Sequence, residues 1–162
     1  MNYDTRSYYR SNSSAFTLTE LMVTVAIIGV ITAAAFPKYL QQIQKARQAD
    51  TTNQISQILT TIQAYREEFL DDPNGWNDLA RITPVKQDSG IAKGSSYSAI
   101  SSPNGGHYSI AIQKGNPFSI TATPRQSKQA GWSIKACINT TTGVAELKKQ
   151  TPGSSTPNPV CT

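Results

Sequence analysis

One carboxylate lies near the start of a long apolar run, and its chemistry requires a partner. Glu20 follows Phe16-Thr-Leu-Thr, and residues 21–36 carry no further charge. Asp, Lys and Arg cost about 2.5–3.5 kcal/mol at the centre of a membrane helix on insertion scales. A charged group in such a segment is usually functional and paired with another group. Leucine would insert more favourably than Glu20, so we expect a positive group to meet this carboxylate.

The rest of the chain lacks the residue patterns of an enzyme. His107 is the single histidine and falls in Gly-Gly-His-Tyr at a predicted strand start, where a structural role is expected. No GxSxG, HExxH or phosphate-binding loop occurs. An acidic cluster at a predicted helix end is interpreted as a solvated surface, because no calcium-binding loop accompanies it: Glu67, Glu68, Asp71 and Asp72. The sequence predicts a non-enzyme with no catalytic residues, no cofactor and no metal site.

Length and charge limit the remaining function classes. The chain has 162 residues, the size of one domain, and a formal net charge of +5. The basic residues are scattered, with no block longer than Lys148-Lys149, so DNA is a weakly supported partner.

The first 36 residues predict a membrane segment. Residues 1–15 are polar and include Arg6 and Arg10, and the apolar run of residues 16–36 follows. At 1.5 Å per residue, this run spans roughly 30 Å of hydrocarbon. The preceding arginines predict a cytoplasmic N-terminus. A secretory signal peptide cut after Ala33-Ala34-Ala35 is the alternative, but the run is longer than an ordinary signal core and contains Glu20.

The residues around Glu20 resemble a known processing signal. The run Ala15-Phe-Thr-Leu-Thr-Glu20-Leu-Met-Val23 is similar to the prepilin motif of type IV pilins and type II secretion pseudopilins, and the resemblance extends over about residues 14–65. It implies that prepilin peptidase cuts between Ala15 and Phe16 on the cytoplasmic side and methylates the new Phe16 amine. Ala15 departs from the family's usual glycine, and Thr19 from its usual Ile or Leu. Alanine is small, so we still expect cleavage.

The resemblance also supplies the partner of Glu20. In a filament of packed N-terminal helices, Glu20 of one subunit would meet the Phe16 amine of a neighbour. Both charges would leave water, so the pair is better suited to setting register than to adding net stability. The implied partners are other pilin subunits, prepilin peptidase, the inner-membrane assembly machinery, and membrane lipid before assembly.

These inferences predict a single-pass precursor in the inner membrane that later enters an extracellular type IV pilus. The main alternative within the family is a type II secretion pseudopilin. An alternative of another class is an adhesive or DNA-binding module whose helix serves merely as an anchor or signal. The mature N-terminus separates these hypotheses: Phe16 indicates assembly, Phe36 a secreted module, and Met1 a fixed anchor.

Residues 37–70 predict an amphipathic continuation of the same helix. Apolar residues recur at intervals of three and four, and Asp71-Asp-Pro-Asn-Gly75 forms a strong stop signal. Gly29 and Pro37 should each kink or loosen the helix. The positions expected on its apolar face are Tyr39, Leu40, Ile43, Ala46, Ala49, Ile55, Ile58, Leu59, Ile62, Tyr65 and Phe69.

The C-terminal half predicts a small antiparallel sheet. Residues 71–106 are interpreted as a connecting loop with a short helical turn near Trp76, and residues 107–162 as three or four strands and a tail. An even cysteine count in an exported chain favours one disulfide, Cys137–Cys161, worth about 3 kcal/mol in the loop-entropy model. The expected fold is α+β, with the long helix covering the apolar face of the sheet. A head closed by a C-terminal disulfide loop again resembles type IV pilins.

Overall fold

The computed structural model describes residues 16–126 and 131–162, so the predicted leader, residues 1–15, lies outside the described residues. A single helix, α1 (Leu18–Phe69), runs through two compact units. The first unit ends at Leu40 and the second comprises Gln41–Thr162.

The described part of the first unit is almost entirely helical and exposed. Every side chain from Phe16 to Leu40 is exposed. The α-helix continues without a break through both Gly29 and Pro37. The kink expected at these two residues stays a prediction. The first unit therefore presents a long run of unburied apolar side chains.

In the second unit, the remainder of α1 buries one face. The buried apolar residues recur at the predicted spacing: Ile55, Ile58, Leu59, Ile62 and Tyr65. The prediction is wrong for the first part of the apolar face, because four of its residues are exposed: Tyr39, Leu40, Ala46 and Ala49. Three polar residues begin the buried face instead: Gln48, Thr51 and Gln54.

The segment between the helix and the main sheet contains more structure than a plain loop. Helix α2 (Trp76–Ile82) forms near the predicted turn. Strands β1 (Lys86–Gln87) and β2 (Gly90–Ile91) then pair as a small hairpin. Buried Trp76 donates its indole N–H to the carbonyl of Ser98 at 2.9 Å, which links the start of this segment to its end.

In the part of the chain that the structure describes, the main sheet has five antiparallel strands in sequence order, rather than the three or four predicted. The extra strand, β3 (Ile100–Ser101), comes from the segment interpreted as a loop and pairs with the next strand. Two residues are too few to show an alternating pattern, so the sequence does not reveal it. The remaining strands are β4 (Tyr108–Gln113), β5 (Phe118–Pro124), β6 (Ile134–Ile138) and β7 (Ala145–Lys149).

Strand register aligns the inward apolar side chains into rows. Ile112 pairs with Ile120, which pairs with Ala136 on the next strand. All three are buried in one hydrophobic core with four residues of α1: Ile55, Ile58, Leu59 and Ile62. Cross-strand contacts of this kind stabilise a sheet. The helix therefore covers the apolar face of the sheet, as the α+β interpretation predicts.

The C-terminal tail follows the opposite, outward face of β6. A disulfide joins Cys137 on β6 to Cys161, and both residues are buried. Upstream, Lys135 donates to the amide oxygen of Asn158 at 2.7 Å, and the Ser133 hydroxyl bonds to that of Thr156. Residues 133, 135 and 137 are alternate positions, so they share one side of the strand. The tail thus runs parallel to β6 and covers it.

Candidate assembly site at the start of the long helix

The first turn of α1 holds Glu20 in a capping box. Thr17 immediately precedes the helix, and Glu20 is its third residue. The backbone N–H of Glu20 donates to the Thr17 hydroxyl oxygen at 3.2 Å. In return, the Thr17 backbone N–H and hydroxyl both donate to Oε2 of Glu20, each at 2.9 Å. Reciprocal bonding of this type satisfies helix-terminal N–H groups that have no partner within the helix.

A carboxylate in the first helical turn is also favoured by the helix dipole. The aligned peptide dipoles place a partial positive charge at the N-terminus, which stabilises a nearby negative group. Glu20 therefore has hydrogen-bond partners in its own chain, whereas the sequence led us to expect only a positive group. The spacing Thr17-x-x-Glu20 is the sequence signature that could have revealed it.

The surroundings of the capping box are apolar and exposed. Phe16 is 82% exposed and Leu18 is 76% exposed. Large apolar side chains continue along the helix at Leu21, Met22, Val23, Val25, Ile27, Ile28, Val30, Ile31 and Phe36. By length and composition, α1 contains a stretch able to cross a membrane. Exposed apolar area of this extent indicates a membrane or protein interface.

The structure locates only some of the predicted site residues. Phe16 and Glu20 lie within the described chain, whereas Ala15 lies outside it. The predicted ion pair joins two subunits, and a single chain contains only one half of it. Cleavage at Ala15–Phe16, methylation of Phe16 and the intersubunit pair therefore stay predictions.

Two further groups of polar side chains lie in the second unit. Arg66 forms an ion pair with Asp72 at 3.5 Å, which ties the acidic cluster to the end of α1. His107 borders an open pocket with Arg47, Asp50 and the buried Ser102. The Ser102 hydroxyl accepts the N–H of Tyr108 at 3.0 Å and so stabilises the start of β4. Within residues 16–126 and 131–162, no group of three or more His, Cys, Asp or Glu is arranged to hold a metal ion.

Comparison with known proteins identifies the N-terminal segment. A family model described as the prokaryotic N-terminal methylation motif matches residues 10–36. The type IV major pilin protein PilA of Myxococcus xanthus (strain DK1622) is 27% identical over 74 residues, covering 46% of this chain and 32% of PilA. The type IV major fimbrial protein FimA of Dichelobacter nodosus is 37% identical over 54 residues, covering 33% of this chain and 35% of FimA. No solved structure matches this chain significantly.

The methylation motif and these relatives show that the N-terminal segment of this chain is similar to that of type IV pilins. The chain spans about a third of the length of these two relatives, 32% and 35%. Together with the matched segment, the α+β fold gives the chain a pilin-like arrangement of a long apolar helix and a small antiparallel sheet.

Proposed function

We propose that this chain is a subunit of an extracellular type IV pilus, made as a membrane-inserted precursor. Prepilin peptidase removes residues 1–15 on the cytoplasmic side and methylates the amine of Phe16. Residues 16–36 then pass from the lipid of the inner membrane into the centre of a filament. The head, including the sheet and its disulfide-bound tail, faces outward.

The observation that carries the proposal is a carboxylate amid exposed apolar side chains at the start of α1. Glu20 is flanked by apolar residues that are more than half exposed, including Leu18 and Leu21. Packing these side chains against other helices removes apolar area from lipid or water and surrounds Glu20 with protein. A charge placed there without a counter-charge costs several kcal/mol, so the neighbouring Phe16 amine is its natural partner.

This arrangement makes processing the switch for assembly. Before cleavage, the nitrogen of Phe16 is part of a peptide bond and carries no charge. Cleavage converts it into an amine that carries a positive charge and can pair with Glu20 of a neighbour. An intact polar leader would also obstruct the packing of helices at this point.

Replacement of Glu20 tests the proposal. Glu20→Ala should leave membrane insertion intact and lower the fraction of subunits recovered in sheared filaments. Glu68→Ala is the matched control, since it removes an exposed carboxylate from the far end of the same helix. Equal incorporation of wild type and Glu20→Ala would remove the proposed role of Glu20.

A type II secretion pseudopilin is the nearest alternative. The location of the assembled filaments, on the cell surface or within the envelope, distinguishes a pilus subunit from a pseudopilin. A pilus subunit should appear in long filaments that shearing releases from the cell surface. A pseudopilin should stay in the envelope and be needed for protein export. The number of copies of this chain in each filament then distinguishes a major pilin from a minor one.

A further inference from the structure

We infer that a polar cavity in the second unit binds a sugar acid, a small ring that carries one carboxylate and several hydroxyl groups. The cavity opens between α1 and the loop that joins β3 to β4, and it has a volume of about 220 Å³. Sites for drug-sized molecules have roughly 300–1,000 Å³, so this cavity suits one ring rather than a chain of sugars. Assembly through Phe16 and Glu20 does not require the cavity, so the inference goes beyond the proposed function.

The wall of the cavity that comes from α1 presents two opposite charges. Arg47 and Asp50 are three residues apart, and Thr51 is four residues from Arg47, so all three lie on one side of the helix. Within residues 16–126 and 131–162, the side chains of Arg47 and Asp50 take part in no ion pair and no hydrogen bond. The guanidinium and the carboxylate are therefore both available to a ligand.

The opposite wall is a loop whose backbone is fixed by hydrogen bonds. The N–H of Gly105 donates to Oδ1 of Asp88 at 2.9 Å, and the N–H of Ser102 donates to the carbonyl of Tyr108 at 2.9 Å. In return, the N–H of Tyr108 donates to the Ser102 hydroxyl at 3.0 Å. A wall that is already held in place needs little ordering when a ligand binds, which lowers the entropic cost of binding.

Groups that both donate and accept hydrogen bonds complete the cavity. Ser102 is 3% exposed, and its hydroxyl oxygen accepts from Tyr108 while its own proton has no acceptor among the described residues. The Asn104 amide and the His107 ring also border the cavity, and neither side chain has a hydrogen-bond partner in the described part of the chain. Such groups match the hydroxyl groups of a sugar, which also donate and accept. Pro103 adds apolar surface for the C–H groups of the ring.

The pattern of charges selects a carboxylate with hydroxyl groups over simpler anions. A guanidinium binds either a carboxylate or a phosphate through two parallel hydrogen bonds. Asp50, on the same wall as Arg47, repels a doubly charged phosphate more strongly than a singly charged carboxylate. The Asp50 carboxylate can in turn accept hydrogen bonds from hydroxyl groups. A uronic acid such as glucuronate carries both kinds of group on one ring.

A nuclear magnetic resonance titration of the full chain with D-glucuronate tests the inference, in a detergent without a sugar headgroup. The backbone amide signals of Ser102, Asn104 and His107 report binding, and the signal of Glu68 near the end of α1 is the internal control. Titration to about 20 mM covers the Kd of about 1 mM that is expected of a ligand with about 13 non-hydrogen atoms. Acetate, glucose and inorganic phosphate each supply one part of the chemistry. Each should bind at least about tenfold more weakly, because each lacks either the charged or the neutral hydrogen bonds.

Two substitutions in the cavity and one outside it locate the binding. Arg47→Gln should raise the Kd for glucuronate about tenfold, because it removes hydrogen bonds between charged groups. Lys45→Gln is the matched control, since it removes the same charge from an exposed position of α1 that does not border the cavity, and it should leave the Kd unchanged. Asn104 has a φ of 61°, a conformation that glycine adopts readily, so Asn104→Gly removes the amide without straining the loop. It should raise the Kd about fivefold, through the loss of a neutral hydrogen bond.

The inference is supported by saturable shifts of the loop amides that Arg47→Gln and Asn104→Gly both weaken. The absence of saturable shifts with glucuronate would overturn it, and so would a folded Arg47→Gln or Asn104→Gly variant that binds as tightly as wild type. Acetate or phosphate binding as tightly as glucuronate would also overturn it, because the cavity would then be a general anion site. None of these results involves Phe16 or Glu20, so failure of the inference leaves the proposed function intact.

Discussion

The side-chain amide of Gln48 donates to the carbonyl oxygen of Trp132 at 3.1 Å, across 84 positions of sequence. The same nitrogen donates to the carbonyl of Gln150 at 2.9 Å. Gln48 is 7% exposed, so this polar group is buried at the start of the helix face that packs on the sheet. Gln48 therefore connects α1 to the backbone just before β6 and just after β7.

Gln48→Ala should therefore destabilise the head by about 1–3 kcal/mol, because it takes a donor away from one buried and one partly buried carbonyl group. The measurement is urea unfolding of the detergent-solubilised chain, followed by near-ultraviolet circular dichroism. Gln57→Ala is the control, since Gln57 lies on the exposed face of the same helix. Equal stability of the two variants would show that the Gln48 bonds contribute nothing net.

The Cys137–Cys161 disulfide should stabilise the head without being needed for its core. Replacing both cysteines by serine should lower the free energy of unfolding by about 3 kcal/mol, through the loop entropy regained by the unfolded chain. The core side chains of α1 and β4–β6 do not include these cysteines, so the sheet should persist. Near-ultraviolet and far-ultraviolet circular dichroism at neutral pH measure whether the sheet and its packing persist in the variant. Loss of all head structure would contradict the prediction.

Acid should weaken the contact between the tail and β7. The Glu146 carboxylate forms an ion pair with Lys148 and accepts the N–H of Val160 at 2.5 Å. The bond from Lys148 and then that from Val160 lower the pKa of Glu146 below its ordinary value of 4.5. A lowered pKa means that the folded state favours the ionised form. The contribution is thus present above pH 4.5 and is lost as the pH falls through the lower, folded-state pKa.

The chemical shift of the Val160 amide proton reports this titration. Its midpoint should lie below pH 4.5, the ordinary value for a glutamate. Glu146→Gln should abolish the titration, and Glu68→Gln should leave it unchanged. A midpoint at or above the ordinary value would show that the carboxylate is not stabilised by these donors.

Truncation of Ile120 tests the core beneath the central strand. Ile120 is fully buried and pairs with Ile112 on one side and Ala136 on the other. Ile120→Ala should cost about 2–5 kcal/mol, from lost apolar transfer and an unfilled cavity. Its neighbour Thr121 lies on the opposite face, so Thr121→Ala should change stability by about 0.5 kcal/mol or less. Urea unfolding measures the stability of both variants. Similar losses of stability in Ile120→Ala and Thr121→Ala would mean that the register of β5 differs from the one described.

The sequence predicts the elements whose signal is periodic and long. The apolar repeat from Ile55 to Tyr65 and antiparallel strands within residues 107–162 both appear in the structure. Each signal is local, because it depends on which side of one helix or strand faces the core.

The features that the sequence did not predict depend on distant partners. Gln48 and Gln54 can be buried because the backbone carbonyls of Trp132 and Lys86 accept hydrogen bonds from their side-chain amides. No local sequence pattern predicts those acceptors. Strand β3 is too short to show alternation. At the candidate site, the membrane segment and Glu20 are visible in the sequence. The hydrogen bonds between Thr17 and Glu20 are local, and the spacing of these two residues is a signature that the sequence-based interpretation did not use.

The mature N-terminus of the protein, isolated from its native envelope and read by mass spectrometry, tests the central claim most directly. The account predicts a chain that begins at Phe16 with a methylated amine, because that amine is the partner proposed for Glu20. A chain that begins at Met1 would indicate a fixed anchor, and one that begins at Phe36 a cleaved secretory signal. Either result would contradict assembly through the N-terminal helix.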